Sequence, residues 1–137
     1  MPSEKPRSTI LLIDDEGDLR KLVTFNLERE GFRVLTAENG AVGLGMIRVE
    51  HPDVIILDVV MPAMDGHEVL RQLKADPVTR DIPVIVLTAL GADRDVSTSL
   101  HLGAVYHMGK PYRYKELIDE IKLAMWKRQP TNSQPSA

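Results

Sequence analysis

Three apolar runs in this 137-residue chain close on groups that can do chemistry. Thr9-Ile-Leu-Leu-Ile13 ends on Asp14-Asp15-Glu16, Val54-Ile-Ile-Leu57 on Asp58, and Pro83-Val-Ile-Val-Leu87 on Thr88. A fourth and shorter run, Ala104 to His107, is followed by Met-Gly-Lys110-Pro111. Continuously apolar runs of this length read as strands of a parallel sheet covered on both faces. In such sheets the carboxyl ends of the strands share one edge, where ligands bind. Taken singly the polar residues are ordinary: Asp15 a helix cap, Thr88 a strand-end hydroxyl, Lys110 a solvated charge. Taken together they converge. Two carboxylates about 5 Å apart repel by roughly 3 kcal/mol at an effective dielectric of 20, so three of them need a compensating cation or raised pKa values. Lys110 supplies one positive charge. A hard divalent cation supplies the remainder, and Mg2+ suits a small carboxylate cluster completed by water and phosphate oxygens.

The elements that must position these groups alternate. From Asp18, Leu19, Leu22, Val23, Asn26 and Leu27 fall on one helical stripe, with Gly31 as the stop. Phe32 to Thr36 reads as a strand and Asn39-Gly40 as its turn. Residues 41–49 read as a helix weakened by Gly43 and Gly45, each costing about 1 kcal/mol against alanine, and are expected to be the least stable helix. Pro52 ends it and the central strand, 54–58, follows. Asp65-Gly66 opens a helix with Val69, Leu70 and Leu73 inward, Asp76-Pro77 closes it, and Val78 to Asp81 is a polar loop. Asp93 to Leu100 is a short helix with Val96 and Leu100 as anchors, stopped near Gly103. The last helix, 112–127, carries the stripe Tyr114, Leu117, Ile118, Ile121, Ala124 and Met125. Five strands alternating with five helices imply an α/β sandwich.

Composition narrows the function classes. Hydrophobic residues at 43% and charged residues at 27% are ordinary for a globular domain. A net charge of -3 without a block of like charges leaves no nucleic-acid footprint. The absence of cysteine excludes a disulfide framework, a thiolate metal site and a thiol nucleophile. No run reaches membrane-span length and no secretory signal is visible, so the expectation is a cytoplasmic protein without direct nucleic-acid or membrane binding. His51, His67, His101 and His107 lack metal-ligand spacing, and the first three read as surface or loop residues.

In these motifs the chain resembles the response-regulator receiver domain of two-component signalling, as in the bacterial chemotaxis regulator. The resemblance rests on Ile13-Asp14-Asp15-Glu16, on Asp58 with Met61-Pro62-Ala63-Met64-Asp65-Gly66, on Leu87-Thr88-Ala89, and on Gly103-Ala104 leading to Lys110-Pro111. It implies a doubly wound five-stranded parallel sheet of order 2-1-3-4-5, a flavodoxin-like three-layer sandwich. The implied organisation is a flexible lead at 1–8, the receiver domain at 9–127 and a flexible tail or linker at 128–137. The resemblance also implies that Asp58 accepts a phosphoryl group from a sensor histidine kinase, a phosphotransfer protein or a small phosphodonor. Asp15, Asp58 and the Val60 carbonyl would bind Mg2+ directly and Asp14 through water, while Thr88 and Lys110 would engage the phosphoryl group. Lys110-Pro111 is typically a cis bond in the family, which would aim the lysine. The chain would be a switch and not an enzyme, with an output partner or domain read through the fourth helix, fifth strand and fifth helix.

The chain departs from the family pattern in two places. Where the family usually carries a tyrosine or phenylalanine switch, three residues before the lysine, His107 stands here, with Tyr106 one place earlier on the other side of the strand. Either His107 takes the switching role, with pH sensitivity as a consequence of its titration near neutrality, or the switch is weakened and output runs through helix movement alone. The positions two after Asp58 and two after Thr88 are Val60 and Leu90, neither of which can position a hydrolytic water, and self-dephosphorylation is expected to be slow. Tyr106, Tyr112, Tyr114 and Trp126 cluster late in the chain, either to pack the last helix or to form a partner face.

Three other functions fit less well. A haloacid-dehalogenase-like phosphatase needs a second acid where Val60 stands. A flavodoxin-like FMN binder needs a phosphate-cradling loop after the first strand. A receiver-like interaction module working without phosphorylation is opposed by Asp15, Asp58, Thr88 and Lys110, though His107 keeps it open.

Overall fold

The computed structural model describes residues 7–58, 66–89, 98–110 and 112–128, without the side chains of residues 88, 89, 110 and 128. Five strands form one parallel sheet: β1 (Thr9–Ile13), β2 (Arg33–Ala37), β3 (Val54–Asp58), β4 (Val84–Ala89) and β5 (Tyr106–Lys110). Their order is β2-β1-β3-β4-β5. Between them run α1 (Gly17–Arg29), α2 (Gly40–Glu50), α3 (Gly66–Ala75) and α4, helical at the described residues 98–101, and α5 (Tyr114–Arg128) follows β5.

The period-2 alternation of the strands divides the core in two. Leu11, Ile13, Ile55 and Leu57 meet Ile47 of α2 and Val69, Leu70 and Leu73 of α3 on one face. Ile10, Leu12, Val54 and Ile56 meet Val23 and Leu27 of α1 and Leu117, Ile118 and Ile121 of α5 on the other. All eight of these β1 and β3 residues are fully buried, which is why the runs contain no polar break until their last residue. This is the expected flavodoxin-like three-layer sandwich with helices on both faces.

Several local expectations are corrected. Leu22, placed on the inward stripe of α1, is 56% exposed; the buried line is Val23 and Leu27 with Leu19 partly covered, an i, i+4, i+8 series. Gly40 opens α2 after Asn39, whose side-chain Oδ1 accepts from the Val42 amide at 2.9 Å, so Asn39-Gly40 is a helix cap. A Cβ on Gly43 would stand 2.5 Å from Cδ1 of buried Ile13, so Ile13 would have to shift to admit one. Strand β2 begins one residue later than expected, and β4 runs past Thr88 to Ala89.

The largest shift is β5, expected at 104–107 and found at Tyr106–Lys110. Parallel pairing with β4 decides this, through Ile85 opposite Tyr106 and Ala89 opposite Lys110. The polar sequence His-Met-Gly-Lys is therefore strand, and Lys110 ends it instead of following it. Leu100, expected as an anchor, is 47% exposed while Ser99 beside it is fully buried. Residues 93–97 with Val96, the Asp65 start of α3, the Lys110-Pro111 bond, the first six residues and 129–137 lie outside the described residues. Among the described residues no helix is long and apolar enough to cross a membrane.

Candidate functional site

Register brings the acids together. Ile13 of β1 pairs with Leu57 of β3, so Asp14 and Asp58 are the next residues on two adjacent strands. Asp14 is fully buried and Asp58 is 4% exposed, whereas Asp15 is exposed. One carboxylate oxygen from each of Asp14, Asp15 and Asp58 lies within 4.8 Å of the others. Hard oxygen donors at that separation fit a small divalent cation such as Mg2+ and suit zinc or a soft metal less.

Asp14 is held at every polar group of its backbone. Its amide donates to the Ala37 carbonyl at 3.1 Å, tying the end of β1 to the end of β2. Its Oδ1 accepts from the Glu16 amide at 2.9 Å, an Asx-type turn that starts α1 without a side-chain cap from Glu16 itself. Its carbonyl accepts from Nη1 of Arg20 at 2.7 Å.

The other expected residues sit at the same edge by backbone position. Asp58 pairs with Leu87, and Thr88 with Gly109, so Thr88 and Lys110 occupy the carboxyl ends of β4 and β5. Val60 and Leu90 lie outside the described residues. His107 stands opposite Val86 on the α2/α3 face, while Tyr106 packs on the α1/α5 face and donates its hydroxyl to Glu116 Oε2 at 2.7 Å. That bond, reinforced by burial, pushes the Tyr106 phenol up to about 12. Tyr114 donates to the Asn26 carbonyl at 2.5 Å, and burial raises its phenol as well. Trp126 is 57% exposed. Most of the late aromatic cluster therefore packs the last helix, and Trp126 alone of these four leans to solvent.

Two features were missed from the sequence. His67 is no bystander on the surface: its Nε2 lies 3.1 Å from Oγ of buried Ser99, joining α3 to α4. Arg20 is the other. A cation near a helix N-terminus opposes the helix dipole, and that mismatch was the available signal that it has a specific partner.

A protein-family model, the response regulator receiver domain, matches residues 10–122. The chain belongs to that family. Receiver domains are signalling switches of two-component systems. The phosphate regulon transcriptional regulatory protein PhoB of Pseudomonas aeruginosa is 36% identical over 126 residues, covering 92% of this chain and 55% of that protein. The "probable transcriptional regulator ycf27" of Guillardia theta is 39% identical over 119 residues, covering 87% of this chain and 46% of the relative. The chain thus spans about half the length of the curated relatives it matches. Among solved structures, the signal receiver domain of a signal transduction histidine kinase from Syntrophus aciditrophicus superposes with a TM-score of 0.80 at 36% identity, covering 86% of this chain and 89% of that one. A response regulator receiver domain protein from Clostridium thermocellum gives 0.81 at 32% identity, covering 86% and 94%.

Proposed function

We propose that this receiver domain is a phosphoacceptor switch in which Asp58 takes a phosphoryl group from the phosphohistidine of a histidine kinase, from a phosphotransfer protein or from a small phosphodonor. The observation that carries the reading is the convergence of the Asp14, Asp15 and Asp58 carboxylates within 4.8 Å at the carboxyl edge of the sheet. In the transfer, an Asp58 carboxylate oxygen forms the new P–O bond as the P–N bond to the donor imidazole breaks, and the leaving nitrogen keeps the electron pair. Asp15, Asp58 and the Val60 carbonyl would hold Mg2+, with Asp14 acting through water. Bound there, Mg2+ supplies positive charge to the transferring phosphoryl group. Lys110 contributes a second positive charge and Thr88 a hydroxyl donor.

Residues 9–127 act as the receiver unit on this reading, with 1–8 as a lead and 128–137 as a tail or linker. Its only catalysis is of its own phosphorylation and slow dephosphorylation. The output runs through α4, β5 and α5 to a partner or a further domain, and regulators of transcription are the relatives that make gene control the leading output. His107 would serve as the switch side chain, and replacing it with tyrosine should change phosphorylation-dependent partner binding; identical binding would remove it from the switch.

The test is incubation with acetyl phosphate and Mg2+ followed by intact-mass measurement. A gain of one phosphoryl group is expected, lost in Asp58→Ala and lost in wild type when the metal is chelated. Absence of the gain in wild type would favour an interaction module that works without phosphorylation. The decay of the same mass peak reads the lifetime: Val60 and Leu90 predict slow loss, and a half-life of seconds without a phosphatase would contradict that.

A further inference from the structure

The peptide plane between Asp14 and Asp15 carries both of the adjacent acids, because a planar trans peptide couples the directions of its two flanking Cα atoms. Fixing that plane fixes where the two Cα atoms sit, leaving ψ of Asp14 and φ of Asp15 to aim their side chains. The Asp14 side of the plane is anchored by the buried amide bond to Ala37 and by the Asp14 Oδ1 bond from Glu16. Asp15 is exposed, so packing restrains it less than it restrains buried Asp14. The carbonyl oxygen of the shared plane is held by the Arg20 guanidinium at 2.7 Å, the short distance of a charge-assisted hydrogen bond. Arg20 reaches this carbonyl from six residues along the chain, with its own Nη2 beside Gly17. A Cβ on Gly17 would stand 3.7 Å from Nη2, an ordinary van der Waals contact, so the path does not depend on the glycine.

We infer that Arg20 is a positioning residue for the cation site, setting the Asp14-Asp15 peptide so that both carboxylates are presented to a divalent ion before it arrives. The inference rests on the reading of the acid cluster as a Mg2+ site. Two consequences of Arg20 oppose each other. Its positive charge weakens the field that attracts a cation, and its hydrogen bond removes the reorganisation the ion would otherwise have to impose. Arg20 is partly exposed, so water and salt weaken the charge term, while the hydrogen bond acts directly on the peptide that carries the ligands. The positioning term dominates. Preorganised ligand geometry of this kind raises affinity without adding a ligand.

The experiment is Mg2+ binding to the full chain by isothermal titration calorimetry, without any phosphodonor. Arg20→Met, which keeps the length and removes both charge and donors, should weaken the dissociation constant by about fivefold, the equivalent of one lost hydrogen bond. Arg20→Lys, which restores a cationic donor, should recover part of the loss. Lys21→Met removes the same charge one residue away and should leave affinity within about twofold. Melting temperatures in a chelator establish that each variant is folded, and Arg20→Lys keeps the question open to measurement if Arg20→Met is not. Equal or tighter Mg2+ binding by the Arg20 variants, or an equal loss in Lys21→Met, would overturn the positioning role. Failure of the wild type to bind Mg2+ at all would instead overturn the site reading on which it rests.

Discussion

At the scale of single residues, the acid cluster is a stability liability that the fold accepts for the sake of its chemistry. Asp14 and Asp58 are both buried at the ends of adjacent strands, and Asp15 completes a group whose oxygens lie within 4.8 Å. At that spacing each pair of charges repels by roughly 3 kcal/mol at an effective dielectric of 20, and the packing of two hydrophobic layers around β1 and β3 overcomes it. Replacing Asp58 with asparagine keeps the shape and removes one charge from the repelling group. Asp58→Asn is therefore expected to melt several degrees higher than wild type in a chelator. The gap should narrow or reverse in millimolar Mg2+, because the ion stabilises only the protein that binds it well. Thermal unfolding followed by circular dichroism under both conditions checks this, and a lower melting temperature for the variant in the chelator would refute the repulsion argument. Strand-end acids were legible in the sequence because a carboxylate closing an unbroken apolar run is conspicuous. Arg20 was less so: its mismatch with the helix dipole hints at a partner, but a backbone carbonyl is a partner that no residue type announces.

At the scale of elements, helix α2 shows how a propensity argument can point the wrong way. Gly43 and Gly45 both weaken an isolated helix, yet only one of them is free to change. Gly45 is exposed, with open space around the position of a Cβ, whereas Gly43 is buried against Ile13, the residue that precedes Asp14. Gly45→Ala should stabilise the domain by about 0.5–1 kcal/mol. Gly43→Ala should destabilise it by about 1–3 kcal/mol, the usual range for overpacking, and should push on the end of β1. Urea denaturation of the two variants measures both signs, and stabilisation by Gly43→Ala would show that Ile13 yields easily. Strand order and the two-faced core follow from apolar runs that read clearly in one dimension. The boundaries of β5 do not, because His107, Gly109 and Lys110 become strand only through pairing with β4. Likewise Ser99 and His67 look like surface residues until α3 and α4 are brought side by side.

At the scale of the whole molecule, the last third of the chain is fastened to the first by α5. Its inner face completes the layer that covers Ile10, Leu12, Val54 and Ile56. Two phenols mark the joints: Tyr114 donates to Asn26 in α1, a contact across 88 residues of sequence, and Tyr106 in β5 donates to Glu116 in α5. Lys122 adds an ion pair to Glu30 at 3.8 Å, exposed enough to contribute little. Both phenols hold their protons more tightly in the folded state. Tyr106 moves from 10.0 to about 12 through its bond to Glu116, and Tyr114 moves in the same direction through burial. A raised folded-state value means that the unfolded chain loses these protons first as pH rises. The stabilisation is therefore complete below about pH 10 and disappears as pH climbs through about 12. The double variant Tyr106→Phe, Tyr114→Phe has no such protons to lose. At pH 8 it should be less stable than wild type by about 1–2 kcal/mol, from two hydrogen bonds of modest net value. Between pH 10 and 12 the stability of the wild type should fall faster than that of the variant, so the two curves converge. The titration of lysines is common to both proteins and drops out of the difference. Parallel curves across that window would mean that the phenols do not fasten α5, and that its hydrophobic stripe alone holds the helix in place.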